Sequence, residues 1–237
     1  VLAALAIPLA DLEVLSRDPW GELGRMAMGL ALPDFGAIET PLQAIGLTIA
    51  VAFWGTLAGV VLGLPLALVY ARSRLVRAAS AAVRAVHELF WALLFLQVFG
   101  LSALTALAAL AIPYAGIFAK VYAEILEQTP QAPQAALPEG TGRLARLAYT
   151  ELPQAFAQLA AYTRYRFECA LRSSVLLGFV GLPTLGYQLE SAFREGRYFE
   201  AGALLWAFYL LIATLPWWAH RRLLLPLGLA SVWLLGP

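Results

Sequence analysis

The stretch LFWALLFLQVFGLSALTALAALAIPYAGIFA, Leu89 to Ala119, carries no charged side chain. At about 1.5 Å of rise per residue a single helix over it would be roughly 46 Å long, too long for one crossing of ~30 Å of hydrocarbon. It must break, and Gly100-Leu101-Ser102 is where turn chemistry allows it. The expectation is one helix from about Val86 to Phe99 and a second from about Ala103 to Glu127, with Pro113 kinking the second.

Two more uncharged runs, Leu42 to Ala71 and Ala201 to Ala219, are each long enough to span. A polar-interrupted span is expected from about Pro153 to Val180, which completes a core of five helices. The 237 residues are 61% apolar and 13% charged, about half the charged share of a soluble domain, so a soluble enzyme is excluded. The fold class is an all-α polytopic membrane protein.

Val1–Ala10 reads as the exit end of a preceding helix, and Leu223–Pro237 as the start of a further apolar segment or a short interfacial tail. Such ends suit a segment of a longer chain or of a tandem one. The organisation expected is residues 1–41 as the end of a preceding span and a periplasmic arm, 42–220 as the core with a cytoplasmic loop at 128–152, and 221–237 as a cytoplasmic turn leading onward.

Orientation follows from arginines, which stay cytoplasmic in short loops. Arg72, Arg74, Arg77 and Arg84 fall in one connection, Arg143 and Arg146 in another, and Arg221-Arg222 after the last core span. The opposite side takes the arm bearing Asp11, Glu13, Asp18, Glu22, Asp34 and Glu39, and the loop from Gly181 to Glu200.

Net charge of +1 offers no field for nucleic acid, and the single Cys169 cannot form an internal disulfide or a thiolate metal cage. The only lysine, Lys120, lies outside any G-x-x-x-x-G-K-[ST] phosphate loop. His87-Glu88 opens like a zinc-protease helix but meets Trp91 where the second histidine belongs, and no G-x-S-x-G is present. No catalytic or metal-ligating constellation stands out, so the chain reads as no enzyme.

One segment has a more specific pattern: Gln134-Ala135-Ala136, three residues, Gly140, nine residues, then Thr150-Glu151-Leu152-Pro153. It resembles the E-A-A-x3-G-x9-I-x-L-P signature of permease subunits of bacterial ABC importers. The small residues permit close approach, Gly140 a sharp turn, and Pro153 a helix start. The stretches Glu88–Phe95, Lys120–Glu124, Tyr165–Glu168 and Arg172–Gly178 are similar to the phosphonate-importer branch, which includes relatives for phosphite and hypophosphite. The resemblance covers roughly Leu42 to Arg222.

That resemblance implies a type I ABC importer permease fold, methionine-permease-like, with five core helices plus a preceding one. It implies two ABC ATPase subunits that hold ATP and Mg, a second permease subunit in a homo- or heterodimer, and a periplasmic solute-binding protein, with this chain a multi-pass subunit in the lipid bilayer of the bacterial cytoplasmic (inner) membrane. The coupling residues would be Gln134, Ala135, Ala136, Gly140, Leu152 and Pro153, and the cargo a phosphorus oxyanion moved by alternating access. Alternatives are a permease for another small solute such as methionine, or, in a different class, an ion-driven carrier or a membrane-embedded enzyme; a carrier needs no coupling loop.

Three departures stand out. Gln134 replaces the usual glutamate, and Pro138 disfavours helix at Leu137, shortening the first coupling helix. Where the phosphonate branch has V-G-A-G-G-I-G, this chain has Val180-Gly181-Leu182-Pro183-Thr184-Leu185-Gly186. Either the cargo differs from a common phosphonate or this subunit is the diverged half of a mixed pair.

The fourth span contains Arg164, Arg166, Glu168 and Arg172, charges that cost ~2.5–3.5 kcal/mol each at the bilayer centre and therefore face protein or water. Arg164, Glu168 and Arg172 are spaced i, i+4, i+8, a stripe with one positive charge in excess. Two readings fit it: a pathway that attracts an oxyanion, with Arg172 foremost, or a set of structural ion pairs. Ser173 and Ser174 could donate to the same anion or merely serve packing, and Gly181 and Gly186 complete the candidate pathway set. Lys120 with Glu124 suits a local ion pair, and Glu88 a helix-start carboxylate.

Overall fold

The structure, a computed structural model, describes residues 18–130, 133, 137–174, 178, 181–218, 226 and 228–231. The expected coupling residues Gln134, Ala135 and Ala136, the ends Val1–Ala10 and Leu223–Pro237 as wholes, and Arg221-Arg222 lie outside them or largely so. The described residues form helices and no strand.

The elements in order are α1 (Pro19–Ala31), a 3₁₀ turn (Phe35–Ala37), α2 (Pro41–Tyr70), α3 (Arg74–Ala85), α4 (Glu88–Phe99), α5 (Ala103–Glu127), α6 (Arg143–Arg146), α7 (Leu152–Ser173), α8 (Leu185–Arg194), α9 (Tyr198–Ala213) and α10 (Leu215–Trp218). Among the described residues, α2 and α5 alone are long and apolar enough to cross a bilayer; α3 and α4 together would make a third span, bent by 92° at Val86-His87.

The break between α4 and α5 falls where the sequence puts it. Gly100 takes φ +65, a left-handed conformation that ends α4, and Ser102 caps α5 by accepting from the Thr105 backbone N–H at 3.3 Å. Helix α5 runs unbroken through Pro113.

The core is the α2/α5 pair. Gly55, Gly59 and Gly63 recur every fourth residue on α2 and meet Leu110, Tyr114 and Phe118 at the same spacing on α5. Equal spacing in the same direction means the two helices run parallel, so α3 and α4 must return the chain between them. Without a hydrophobic driving force between helices in lipid, this approach rests on packing, for which glycine makes room. A Cβ on Gly59 would stand 2.6 Å from Tyr114 Cβ.

Three expectations are corrected. The arginine-rich connection at 72–84 is not a loop but helix α3, because alanine, valine and arginine sustain a helix once Ser73 Oγ accepts from Val76 N at 3.3 Å. The loop at 181–200 contains α8, capped by Thr184, and the last core helix begins at Tyr198 rather than Ala201 and breaks at Thr214. The arm before α2 contains α1, which packs on α9 where Gly29 meets Gly202, and Tyr198 donates to Glu22 Oε2 at 2.7 Å.

Near the C-terminus, Trp54 Nε1 on α2 donates to Ser231 Oγ at 2.9 Å, and Gly228 packs on Phe53. The chain therefore folds back against the middle of α2.

Candidate functional site

Two groups of polar residues occupy places an apolar bundle would not give them without use. The first is at the C-terminal ends of α2 and α5. Here α6 and α7 are one helical run joined by a π-type turn over Leu147–Glu151, in which Leu152 N–H donates to Leu147 O. Pro153 explains the wide turn: it has no N–H to give the Tyr149 carbonyl, and its ring pushes that carbonyl away. Side chains compensate nearby, Thr150 Oγ1 donating to Arg146 O at 2.6 Å and Gln154 Nε2 to Thr150 O at 2.7 Å. Pro153 stands in the first turn of α7, yet helical backbone enters from Arg143 instead of starting there.

Arg143 ties this run to α2. Its Nη2 donates to the Leu68 carbonyl at 2.9 Å. That carbonyl is open because α2 ends tightly, Arg72 N–H turning to Val69 O at 3.1 Å instead of reaching back four residues. A cleft of about 510 Å³ lies between, lined by Leu68, Val69, Ala123, Glu127, Arg143 and Leu147 among others. Gly140, at φ +84 with open space around it, supplies the turn before Arg143.

The second group lies along α7, whose faces differ. Arg166 points into the bundle, its side chain 14% exposed, with Nη2 3.9 Å from Glu88 Oε1 and Cζ 4.2 Å from the centre of the Tyr114 ring. Tyr114 is fully buried, and Arg166 Nε makes no hydrogen bond with a described residue. Glu88 therefore serves as a partner for α7; the cap of α4 is His87, whose Nδ1 accepts from Leu89 N at 3.2 Å.

Arg164, Glu168 and Arg172 point the other way. Arg172 Nη2 bonds Glu168 Oε1 at 2.5 Å, while Arg164 is exposed and in no ion pair with a described residue. With Gln158 and Ala161, also exposed, they form a strip along most of the helix. Ser173 is half-buried beside Tyr114, and Ser174 is buried with its hydroxyl donating to Leu171 O at 2.6 Å. Gly181 takes φ +82 against the Leu101 side chain, and buried Gly186 presses on Gly178, where a Cβ would come within 2.6 Å of Gly186 C. Lys120 Nζ pairs with Glu124 Oε1 at 3.4 Å.

Sequence reasoning missed the Gly55-Gly59-Gly63 stripe, although G-x-x-x-G in an apolar run is a readable packing signal. It also missed Tyr114 and the tie between Arg143 and α2.

Residues 55–221 match the binding-protein-dependent transport system inner membrane component. The chain belongs to that family. This permease is similar to the phosphite transport system permease protein PtxC of Stutzerimonas stutzeri, 31% identical over 73% of this chain and 66% of the relative. It is also similar to the phosphate-import permease protein PhnE of Mycolicibacterium smegmatis, 33% identical over 80% of this chain and 36% of the relative. A putative phosphite transport system permease protein, HtxC of Stutzerimonas stutzeri, is 30% identical over 67% of this chain and 59% of the relative. The permease thus spans from about a third to about two thirds of the length of these relatives.

The crystal structure of an amino acid ABC transporter with histidines superposes with a TM-score of 0.64 at 20% identity, over 80% of this chain and 93% of that one. The fold is that of an ABC importer permease, and the relatives carry names from the phosphite and phosphonate branch that the motifs resemble.

Proposed function

We propose that this chain is the transmembrane subunit of an ATP-driven importer that moves a phosphorus oxyanion into the cytoplasm by alternating access. The observation that carries the reading is the strip Gln158, Arg164, Glu168 and Arg172 on α7. Charges at that density are prohibitive on a lipid face, so the strip borders water or a second permease subunit. Its one uncompensated cation, Arg164, presents a planar guanidinium suited to a phosphorus oxyanion. The names of the relatives support that cargo class.

In this reading five core spans surround the pathway, made by α2, α3 with α4, α5, α7, and α9. ATP and Mg are bound and turned over by a separate pair of ATPase subunits. These move the segment ending in α6, including Gln134, Ala135, Ala136 and Gly140; Leu152 and Pro153 pass the motion into α7. A solute-binding protein delivers cargo on the side of α8, where Gly181 and Gly186 shape the pathway mouth, and Ser173 and Ser174 pack near it.

The test is ATPase activity of the copurified complex in nanodiscs, with its binding protein and a panel of phosphonate, phosphite, hypophosphite, phosphate and methionine. Stimulation by one phosphorus compound is expected. Stimulation by methionine alone would keep the importer class and overturn the cargo, and failure of any ATPase to copurify with folded permease would overturn the coupling role.

A further inference from the structure

Arg166, Glu88 and Tyr114 have no part in the strip on the other face of α7, and their hydrogen bonding is unbalanced. Tyr114 is fully buried midway along α5, and its hydroxyl bonds no described residue. The same holds for Arg166 Nε. Arg166 Nη2 stands 3.9 Å from Glu88 Oε1, an ion pair stretched past hydrogen-bond length. Buried polar groups are satisfied as a rule, so two orphaned groups on side chains in contact with one another mark a place suited to a ligand.

The backbone adds to this. Helices α3 and α4 bend by 92° at Val86-His87, and that break brings Glu88, the first residue of α4, to Arg166 and so to the level of Tyr114. Non-helical backbone within a span is tolerated where it lines protein or a water-filled cavity. The start of α4 also turns the positive end of its dipole toward the cluster. Nor is the cluster sealed: the side chains of Arg166 and Glu88 are 14% and 18% exposed, and Ser173, beside Tyr114, is half-buried.

Charge narrows the class of ligand. Arg166, Tyr114 and Ser173 offer hydrogens, which suits the oxygens of a tetrahedral anion, and a planar guanidinium can hold two of them. Glu88, when ionised, offers lone pairs alone. An anion without a proton, such as sulfate, would set oxygen against oxygen at Glu88, whereas one that keeps an acidic proton can donate it to the carboxylate. Phosphonates, phosphite and phosphate keep such a P–OH near neutral pH; sulfate does not.

We propose that Arg166 and Tyr114, with Ser173 alongside, bind a singly protonated phosphorus oxyanion, and that Glu88, by accepting its P–OH hydrogen, is the residue that rejects sulfate. This rests on the cargo class proposed above and adds the site and the basis of selection. The outer strip gathers anions, and the inner cluster chooses among them.

The experiment uses the copurified complex in nanodiscs at neutral pH, without its binding protein. Bound radiolabelled inorganic phosphate is counted while unlabelled phosphite or sulfate competes. Phosphite is expected to compete roughly tenfold or more better than sulfate, the factor supplied by one hydrogen bond to a charged group. Glu88→Gln should bring the two to within about twofold, because a carboxamide both donates and accepts. Tyr114→Phe should weaken both by about fivefold and keep their ratio, and Arg166→Met should abolish binding. The ratio is read within each variant, so partial loss of folded protein does not imitate the result. No bound label or equal competition in the unmodified complex overturns the proposal. So does a phosphite preference that survives Glu88→Gln, or label retained by Arg166→Met, which would move the site to the outer strip. Each of these leaves the importer reading intact where a phosphorus compound still stimulates the ATPase, whereas stimulation by methionine alone removes the cargo class on which the site rests.

Discussion

Arg143 reaches across from α6 to the Leu68 carbonyl of α2 at 2.9 Å, a side-chain bond between the segment proposed to meet the ATPase and the end of a core span. A charge-assisted bond to an open helix carbonyl contributes about 1 kcal/mol when partly solvated. Arg143→Gln should therefore loosen the α6 contact several-fold. The expected outcome is lower transport per ATP hydrolysed in the reconstituted complex, with folding preserved. Unchanged stoichiometry would assign the bond to packing alone.

Gly59 allows the parallel helices α2 and α5 to meet, since a Cβ there would stand 2.6 Å from Tyr114 Cβ. Gly59→Leu should destabilise the bundle by roughly 1–3 kcal/mol, the usual cost of overpacking. Thermal unfolding in nanodiscs checks this, with Gly24→Leu, where nothing lies within 4 Å of the added Cβ, as the neutral control.

Arg166 and Glu88 are each less than one fifth exposed and compensate one another's charge. Arg166→Met alone leaves a carboxylate in an apolar bundle and should cost up to about 3 kcal/mol. The double variant Arg166→Met with Glu88→Gln should recover most of that loss. A double-mutant cycle on unfolding free energy reads the coupling directly; additive losses would show that the two side chains do not act as a pair.

Glu22 on α1 has its carboxyl held below the ordinary value by hydrogen bonds, first from Arg25 and then from Tyr198. A lowered folded-state value means the contribution to α1 docking is fully present above the ordinary carboxylate range and is lost as pH falls through the folded value. Hydrogen exchange over Pro19–Ala31 should accelerate on acidification below about pH 4. Tyr198→Phe should move that midpoint upward, since one of the two donors is gone.

Much of the helix order is legible in sequence because it rests on local chemistry. Gly100 and Ser102 announce the break before α5, and the observed bounds agree to within two residues. Helix α3 is obscured by its arginines, which suggest a solvated loop until they are plotted around a helix, where they leave two other faces free. The charges of α7 are equally visible, but Arg164 and Arg166 are two positions apart and so face opposite ways. The partner of Arg166 is on α4, and only the fold brings it near. The partner of Arg143 is a backbone carbonyl, which has no signature in a string of side chains.

The wide turn over Leu147–Glu151 holds one residue more than an α-helix would place in the same rise. Everything after it, including Arg164, Glu168 and Arg172, is turned by about 100° from the bearing that a uniform helix starting at Arg143 would give. A pull that tightened this turn would have to screw α7 about its own axis. In the proposed importer, motion of the segment ending in α6 would therefore reach the charged strip as rotation as well as translation, and Pro153, with no N–H to offer, stops the surplus residue from travelling further along the helix.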